Sequence, residues 1–348
     1  MSTRTFGKRS PRNKKEVPDT LTFTITYGEV AENHIGQQQI GTDSSVNIQR
    51  GLSKNQLLNI QGYFDDLGAE TELVDLTQWT VGTEIEGSDE LWDACVLVAK
   101  NGASFILETT GRSADDMLEE LKSLEWDSKF YSKKHGKVVN KNARSNLCFD
   151  DESQEADYEQ GKGTIVSFES VPCVKMIRET LVDLAYSPET DLRDGALKAE
   201  GNRYTGGQGI GFHGDTERKI VMAVRLGDPI PLQYQWFFGG NPVGDRIELN
   251  LEHGDIYFMS EKAVGNDWKR RIIPTLRHAA GSPKYTTIKE KKEGASEKSS
   301  EKPTYPEGSV KNPKTGRTIK IGAGVFKTLI AEGYVLSNGE LVLKNSGV

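Results

Sequence analysis

Cysteine is scarce in this chain: 348 residues hold three, Cys95, Cys148 and Cys173. They are odd in number, far apart and never in a paired metal-binding spacing, so no disulfide framework or zinc finger is expected, and a reducing, intracellular setting (cytoplasm or nucleus) follows. Long apolar runs are missing too. A stretch such as Cys95 to Ala99 is strand-sized, against the roughly 20 residues a membrane-spanning helix needs, so no membrane association is expected. The first 20 residues carry Arg4, Lys8, Arg9, Arg12, Lys14 and Lys15 without an apolar stretch, which excludes a secretory signal and reads as a disordered basic arm. A general excess of basic charge is also lacking. The net charge is -7, and residues 17–283 alone hold 26 basic against 43 acidic residues, a formal charge of -17. An acidic body with basic ends does not advertise a broad nucleic-acid surface, although the ends attract phosphate by themselves.

What is present divides into segments. Leu21 to Tyr27 alternates like a strand. Ser53 to Leu67 has the period of a helix with Ser53 as N-cap and Gly68 closing it, and Glu72 to Leu76 and Ala94 to Lys100 read as further strands. These suggest an N-terminal α/β region over 21–110 of unknown role. Within it, Tyr27 to Gly41 is dense in polar groups and glycine and reads as a structural turn or a functional loop. Ser113 begins a helix with a hydroxyl cap, two early acids and Met117, Leu118, Leu121 and Leu124 on one face. From Val138 to about Lys289 the pattern becomes short, often β-branched segments broken by Gly, Pro and Asp, the look of a double-sheet β barrel. The expected organisation is a main domain over 111–289, a Lys/Glu/Ser linker over 290–307, and a small module over 308–348.

The first chemical signal lies in Asn202-Arg-Tyr-Thr-Gly-Gly-Gln-Gly-Ile-Gly-Phe-His-Gly-Asp215. Along a strand or its turn, His213 and Asp215, two apart, fall on one side and can converge on one ion. A second histidine must come from elsewhere. Among those after the pair, His253 sits in a turn between two strands, whereas His278 lies 65 residues after His213 and just before an expected strand over Lys284 to Lys289, which makes it the preferred ligand. Two histidines and one carboxylate leave three coordination positions open, the arrangement of non-haem iron(II) oxygenases.

From Ser113 to Lys289 the order of motifs resembles AlkB-type dioxygenases. Asn202-Arg-Tyr204 followed by His213-Gly-Asp215-Thr-Glu217 resembles that family's Asn-x-Tyr…His-x-Asp-x-Glu block. Ile220 to Gly227 is similar to the following strand, Leu249 to Met259 to the family's Leu…His-Gly-Asp…Met strand, and Lys137 to Arg144 to the segment that opens the barrel over the substrate. The resemblance implies an α+β protein built on a double-stranded β-helix, or jelly roll. It assigns iron(II) to His213, Asp215 and His278, and 2-oxoglutarate to Asn202 and Tyr204. The family's terminal arginines, which grip the cosubstrate carboxylates, are absent. Lys284-Tyr-Thr-Thr-Ile-Lys-Glu290 aligns there, so Lys284 is the expected counter-charge for the distal carboxylate, with Lys289 as the fallback.

The activity implied is oxidation of a substrate C–H bond by dioxygen, with 2-oxoglutarate giving succinate and carbon dioxide. If the carbon is a methyl on a base nitrogen, it leaves as formaldehyde. Lys141, Arg144 and Phe149 are the candidates for contact with a nucleic-acid substrate. Two other readings remain: hydroxylation of a protein side chain, with Trp236, Phe237 and Phe238 lining a peptide groove, and a non-catalytic virion or scaffold protein. The final module contains Asn312-Pro-Lys-Thr-Gly-Arg317, similar to an appendage of large DNA virus proteins, and is a candidate for docking a protein partner.

Overall fold

The computed structural model describes residues 19–41, 48–288, 308–313, 318–337 and 340–343. The expected basic arm and linker lie almost wholly outside them, as do Lys289 and Arg317. The chain divides into two compact units, Met1–Ile288 and Lys289–Val348, and the class is α+β.

In chain order the larger unit contains strands β1 (Leu21–Gly28), β2 (Ala31–Glu32), β3 (Gln39–Ile40), β4 (Thr71–Asp75), β5 (Cys95–Ala99), β6 (Lys129–Ser132), β7 (Lys137–Asn140), β8 (Ser145–Asp150) and β9 (Ile165–Ser167). They are followed by β10 (Lys198–Thr205), β11 (Gly209–His213), β12 (Val221–Gly227), β13 (Leu232–Phe238), β14 (Asn241–Leu249), β15 (Ile256–Met259) and β16 (Thr275–Gly281). Eight form one sheet in the order β4-β5-β15-β12-β1-β10-β8-β9, and four form a second in the order β11-β16-β13-β14.

Each face of the large sheet has its own partner. Strand alternation turns Phe23, Ile25 and Tyr27 of β1, Leu147 and Phe149 of β8, and Met222 and Val224 of β12 to one side. There they bury against the helices α1 (Lys54–Asp66), α2 (Gly102–Leu107), α3 (Ala114–Lys122) and α4 (Pro172–Ala185). Ser53 and Ser113 cap α1 and α3 with reciprocal capping boxes, satisfying amide groups that would otherwise end unpaired. On the other face, Val96, Val98, Val221, Ala223, Tyr257 and Met259 pack against Leu232, Tyr234, Trp236 and Leu276 of the small sheet.

The expected boundary at residue 110 does not separate two bodies. β1 lies between β10 and β12, paired with both along most of its length, and β4 and β5 extend the same sheet. The strand, helix and capping patterns over 21–110 were correctly local, but a strand's partners are set by burial across the whole chain, which local periodicity does not carry. A second correction concerns Lys284. Its segment is not a strand: Pro283–Thr286 forms a single-turn helix, α6, after a short α5 (Glu261–Val264). Proline at the first helical position presets φ and needs no amide partner, and that signal overrode the β-branched run after it.

The smaller unit contains β17 (Ser309–Lys311), β18 (Thr318–Lys320), α7 (Gly324–Ala331), β19 (Tyr334–Ser337) and β20 (Glu340–Leu343) around Val310, Leu329 and Leu341. No helix among the described residues is long and apolar enough to cross a membrane.

Candidate metal centre

The two histidines are brought together by strand pairing. β11 and β16 are antiparallel, with Gly209 opposite Gly281 and Ile210 opposite Ala280, and then the register shifts so that His213 stands opposite His278. Without that irregularity His213 would face Arg277, so the extra residue aligns the ligands. Glycine makes the approach possible: a Cβ on Gly281 would lie 2.4 Å from Gly209 Cα. The imidazole rings end 4.5 Å apart, edge to face.

Asp215 arrives through the loop after β11. A Cβ on Gly214 would stand 2.1 Å from the Gly265 carbonyl, so only glycine lets this loop lie against the turn closing α5. The Asp215 amide donates to the Val264 carbonyl at 3.1 Å. Asn266 Nδ2 donates to the carbonyls of Asp215, Thr216 and Arg218 at 3.2, 3.0 and 3.0 Å. As a result Asp215 Oδ1 lies 3.5 Å from His213 Nε2 and 3.7 Å from His278 Nε2, and one ligand atom from each residue lies within 4.8 Å of the others.

This donor set fits a metal ion. His213 Nδ1 is 2.8 Å from the Gly211 carbonyl, a contact that requires a proton on Nδ1 and leaves Nε2 as the ring nitrogen that faces Asp215. Burial, then His213 and Arg218, hold the His278 imidazole well below its ordinary pKa and therefore neutral. Separations of 3.5 and 3.7 Å to the carboxylate, with all three donors within 4.8 Å of one another, leave room for an ion at roughly 2 Å from each donor.

Behind the carboxylate lies a buried charge network. Arg218 donates to Glu200 at 2.6 Å and Glu217 at 2.9 Å, and its Nε is 3.7 Å from Asp215 Oδ2. Burial opposes its charge, but Glu200, Asp215 and Glu217 together outweigh that cost and keep it protonated. Sequence reasoning missed Arg218 and Asn266, whose spacing carries no signature.

The centre opens into a cavity of about 600 Å³ between the sheets. Asn202 and Tyr204 of β10 line it together with Thr24 and Thr26 of β1, Arg225 of β12, Tyr257 of β15, and Leu232, Met259 and Ala280. Asn202 accepts from Arg144 Nε and donates to Glu200 Oε1 at 3.1 Å. Its mouth includes Glu32, His34, Ile35 and Gly36, so the polar segment between β1 and β3 borders the candidate site.

The other expected residues divide. Arg144 lines the cavity, 3.7 Å from Glu200. Lys141 lines a neighbouring recess of about 470 Å³ with His34, Phe130, His135 and Arg144, and its ammonium is occupied by Asn33 and Asn146. Phe149 is buried on the opposite face of the large sheet beside Phe168, so it is no stacking surface. Trp236 and Phe237 are core residues and cannot floor a peptide groove. Lys284 is exposed, with its ammonium over the Tyr285 ring at 4.9 Å, and does not line the cavity. His253 accepts from the Gly227 amide at 3.0 Å, away from the centre.

No family model matches the chain. Over 266 residues it is 42% identical to "Uncharacterized protein R156" of Acanthamoeba polyphaga mimivirus, an alignment covering 76% of this chain and 97% of that protein.

Proposed function

We propose, for a chain that belongs to one family with the mimivirus protein R156, the activity of an iron(II)- and 2-oxoglutarate-dependent dioxygenase of the AlkB type. The observation that carries this reading is the convergence of His213, Asp215 and His278 at the wall of a cavity between two sheets. Two imidazoles and one carboxylate leave adjacent coordination positions for a 2-oxo acid and for dioxygen.

Strand pairing supports a jelly roll. β11 pairs with β16, β12 with β15 and β13 with β14, the nesting of an antiparallel ribbon wound on itself. The outermost pair would join β10 to a strand after β16, but β1 takes that place, antiparallel to β10 and β12. On this reading the N-terminal strand substitutes for the last strand, which accounts for the missing terminal arginines: the position is held by a Thr-x-Thr-x-Thr strand, Thr22 to Thr26.

When bound, the iron would supply the oxidising chemistry, turning 2-oxoglutarate and dioxygen into succinate, carbon dioxide and a hydroxylated substrate. The protein's share is placement. Arg218 fixes the Asp215 carboxylate, the Gly211 carbonyl fixes the His213 tautomer, and Leu232, Met259 and Ala280 keep water from the inner cavity.

A methylated nucleic-acid base is the substrate class we favour. The hairpin of β6 and β7 carries exposed Lys129, Lys133, Lys134 and Lys137 on an otherwise acidic body, beside the recess where the His34 ring lies tilted against Phe130 with centroids 3.8 Å apart. Glu32 and Glu217 at the cavity edge suit a base made cationic by ring-nitrogen methylation. The test is an anaerobic titration with iron(II) and 2-oxoglutarate, followed by air and a panel of methylated oligonucleotides and peptides. Formaldehyde from an oligonucleotide is expected; hydroxylation of peptides alone would move the assignment to a protein hydroxylase.

A further inference from the structure

Arg225 is 1 % exposed, and neither its Nε nor its Nη1 finds a hydrogen-bond partner. No described carboxylate lies within 4.0 Å of its guanidinium, although the comparably buried Arg218 has three. A buried, uncompensated cation costs several kcal/mol, and a methionine of similar length would avoid that cost. The paired residue on the next strand repeats the anomaly: Thr24, opposite Arg225, has a buried hydroxyl without a partner. Both side chains line the cavity that holds the His213, Asp215 and His278 triad. Two adjacent donors are therefore left unsatisfied in an enclosed space.

We propose that Arg225 and Thr24 form the anion site of the cavity and hold the distal carboxylate of a short 2-oxo dicarboxylate whose 2-oxo acid end reaches the triad. This rests on the dioxygenase reading. The cation comes from β12, one strand away from where the resemblance places it, because β1 supplies threonines rather than a terminal arginine. A polymer phosphate does not fit the position, since Arg225 lies deep between the sheets beside Tyr257 and not on the exposed hairpin. Tyr204 and Tyr257 each feel the charge of both Arg225 and Asp215, and all four side chains line the same cavity. A guanidinium recognises a carboxylate by its planar array of N–H donors, so shortening or flattening the acid is read directly.

The test uses the full chain loaded with manganese(II), which binds such sites without turnover, and measures 2-oxoglutarate and pyruvate binding by calorimetry. Pyruvate keeps the chelating end and lacks the distal carboxylate. The intact protein is expected to prefer 2-oxoglutarate by about 30-fold or more, the usual consequence of one desolvated, hydrogen-bonded charge pair. Arg225→Met is expected to abolish that preference, leave manganese affinity unchanged and raise the melting temperature of the ligand-free protein. Lys284→Ala is expected to change none of the three. Retained preference in Arg225→Met overturns the proposal, as does a lowered melting temperature with the preference intact, which would mark a structural arginine. If the intact protein binds manganese but neither oxo acid, the dioxygenase reading fails instead. The anion site is then judged on metal-free protein by glutarate: binding that Arg225→Met removes upholds it, and absence of binding overturns it.

Discussion

At the scale of single residues, the centre depends on groups that never touch the metal position. Gly214 is the clearest case, because a methyl group there would collide with the Gly265 carbonyl and push the Asp215 loop off α5. Gly214→Ala is expected to cost about 1 to 3 kcal/mol in stability, the usual range for overpacking, and to weaken manganese(II) binding as well. Thermal unfolding and metal titration on the same sample check both; lost stability with intact metal affinity would remove the glycine from the site's design. Arg218 acts electrostatically. Replacing it by Gln leaves Asp215, Glu200 and Glu217 buried together without their shared cation, and a 10- to 100-fold loss of metal affinity is expected, as for other outer partners of metal ligands. A metal titration of Arg218→Gln that matched the parent would contradict this role. The pairing of His213 with Asp215 was legible in the sequence through the order of motifs around it, since β11 ends at His213 and the loop after it, not strand alternation, delivers Asp215. Arg225 was not, since an arginine inside an apolar strand gives no sign of which face it takes or whether a carboxylate waits there.

Elements decide the rest of the geometry, and here the sequence was legible in parts. The period of Ser53 to Leu67 and the cap at Ser113 are local signals, and α1 and α3 formed where those signals lie. The membership of β1 is non-local: its inward threonines make sense only beside β10 and β12. Lys284 does not join a terminal strand, because the Ser282-Pro283 start turns its segment into α6. The segment from β2 to β3 at the cavity mouth is expected to respond to pH. Burial first, then Lys141 and Arg144, lower the His34 pKa to about 4, against an ordinary value of 6.5. A depressed folded pKa means the unfolded chain takes up the proton first, so the stability tied to neutral His34 is present above 6.5 and is lost as pH falls toward 4. Amide protection factors in residues 31–40, corrected for the intrinsic pH dependence of exchange, are expected to fall over that window, and His34→Gln to flatten the change. An identical acid response in that variant would assign the effect to other groups.

The whole molecule divides its labour. Met1–Ile288 holds both sheets, all four packed helices and the candidate centre, while Lys289–Val348 has its own small core. Truncation after Ile288 is therefore expected to keep the melting temperature of the larger unit within a few degrees and to keep its metal affinity, whereas deletion of residues 1–28 removes a central strand and should abolish soluble protein. A truncated chain that aggregates or loses the metal would show that the smaller unit supports the larger. On the proposed reading, the basic hairpin on an otherwise acidic body would direct a polyanionic substrate to one face. The most direct measurement of the central claim is release of carbon dioxide from carboxyl-labelled 2-oxoglutarate in the presence of iron(II) and oxygen. The account predicts iron-dependent release by the intact chain, lost in Asp215→Ala and His278→Ala and retained in His253→Ala; release that survives both triad substitutions, or no release by the intact chain, would contradict it.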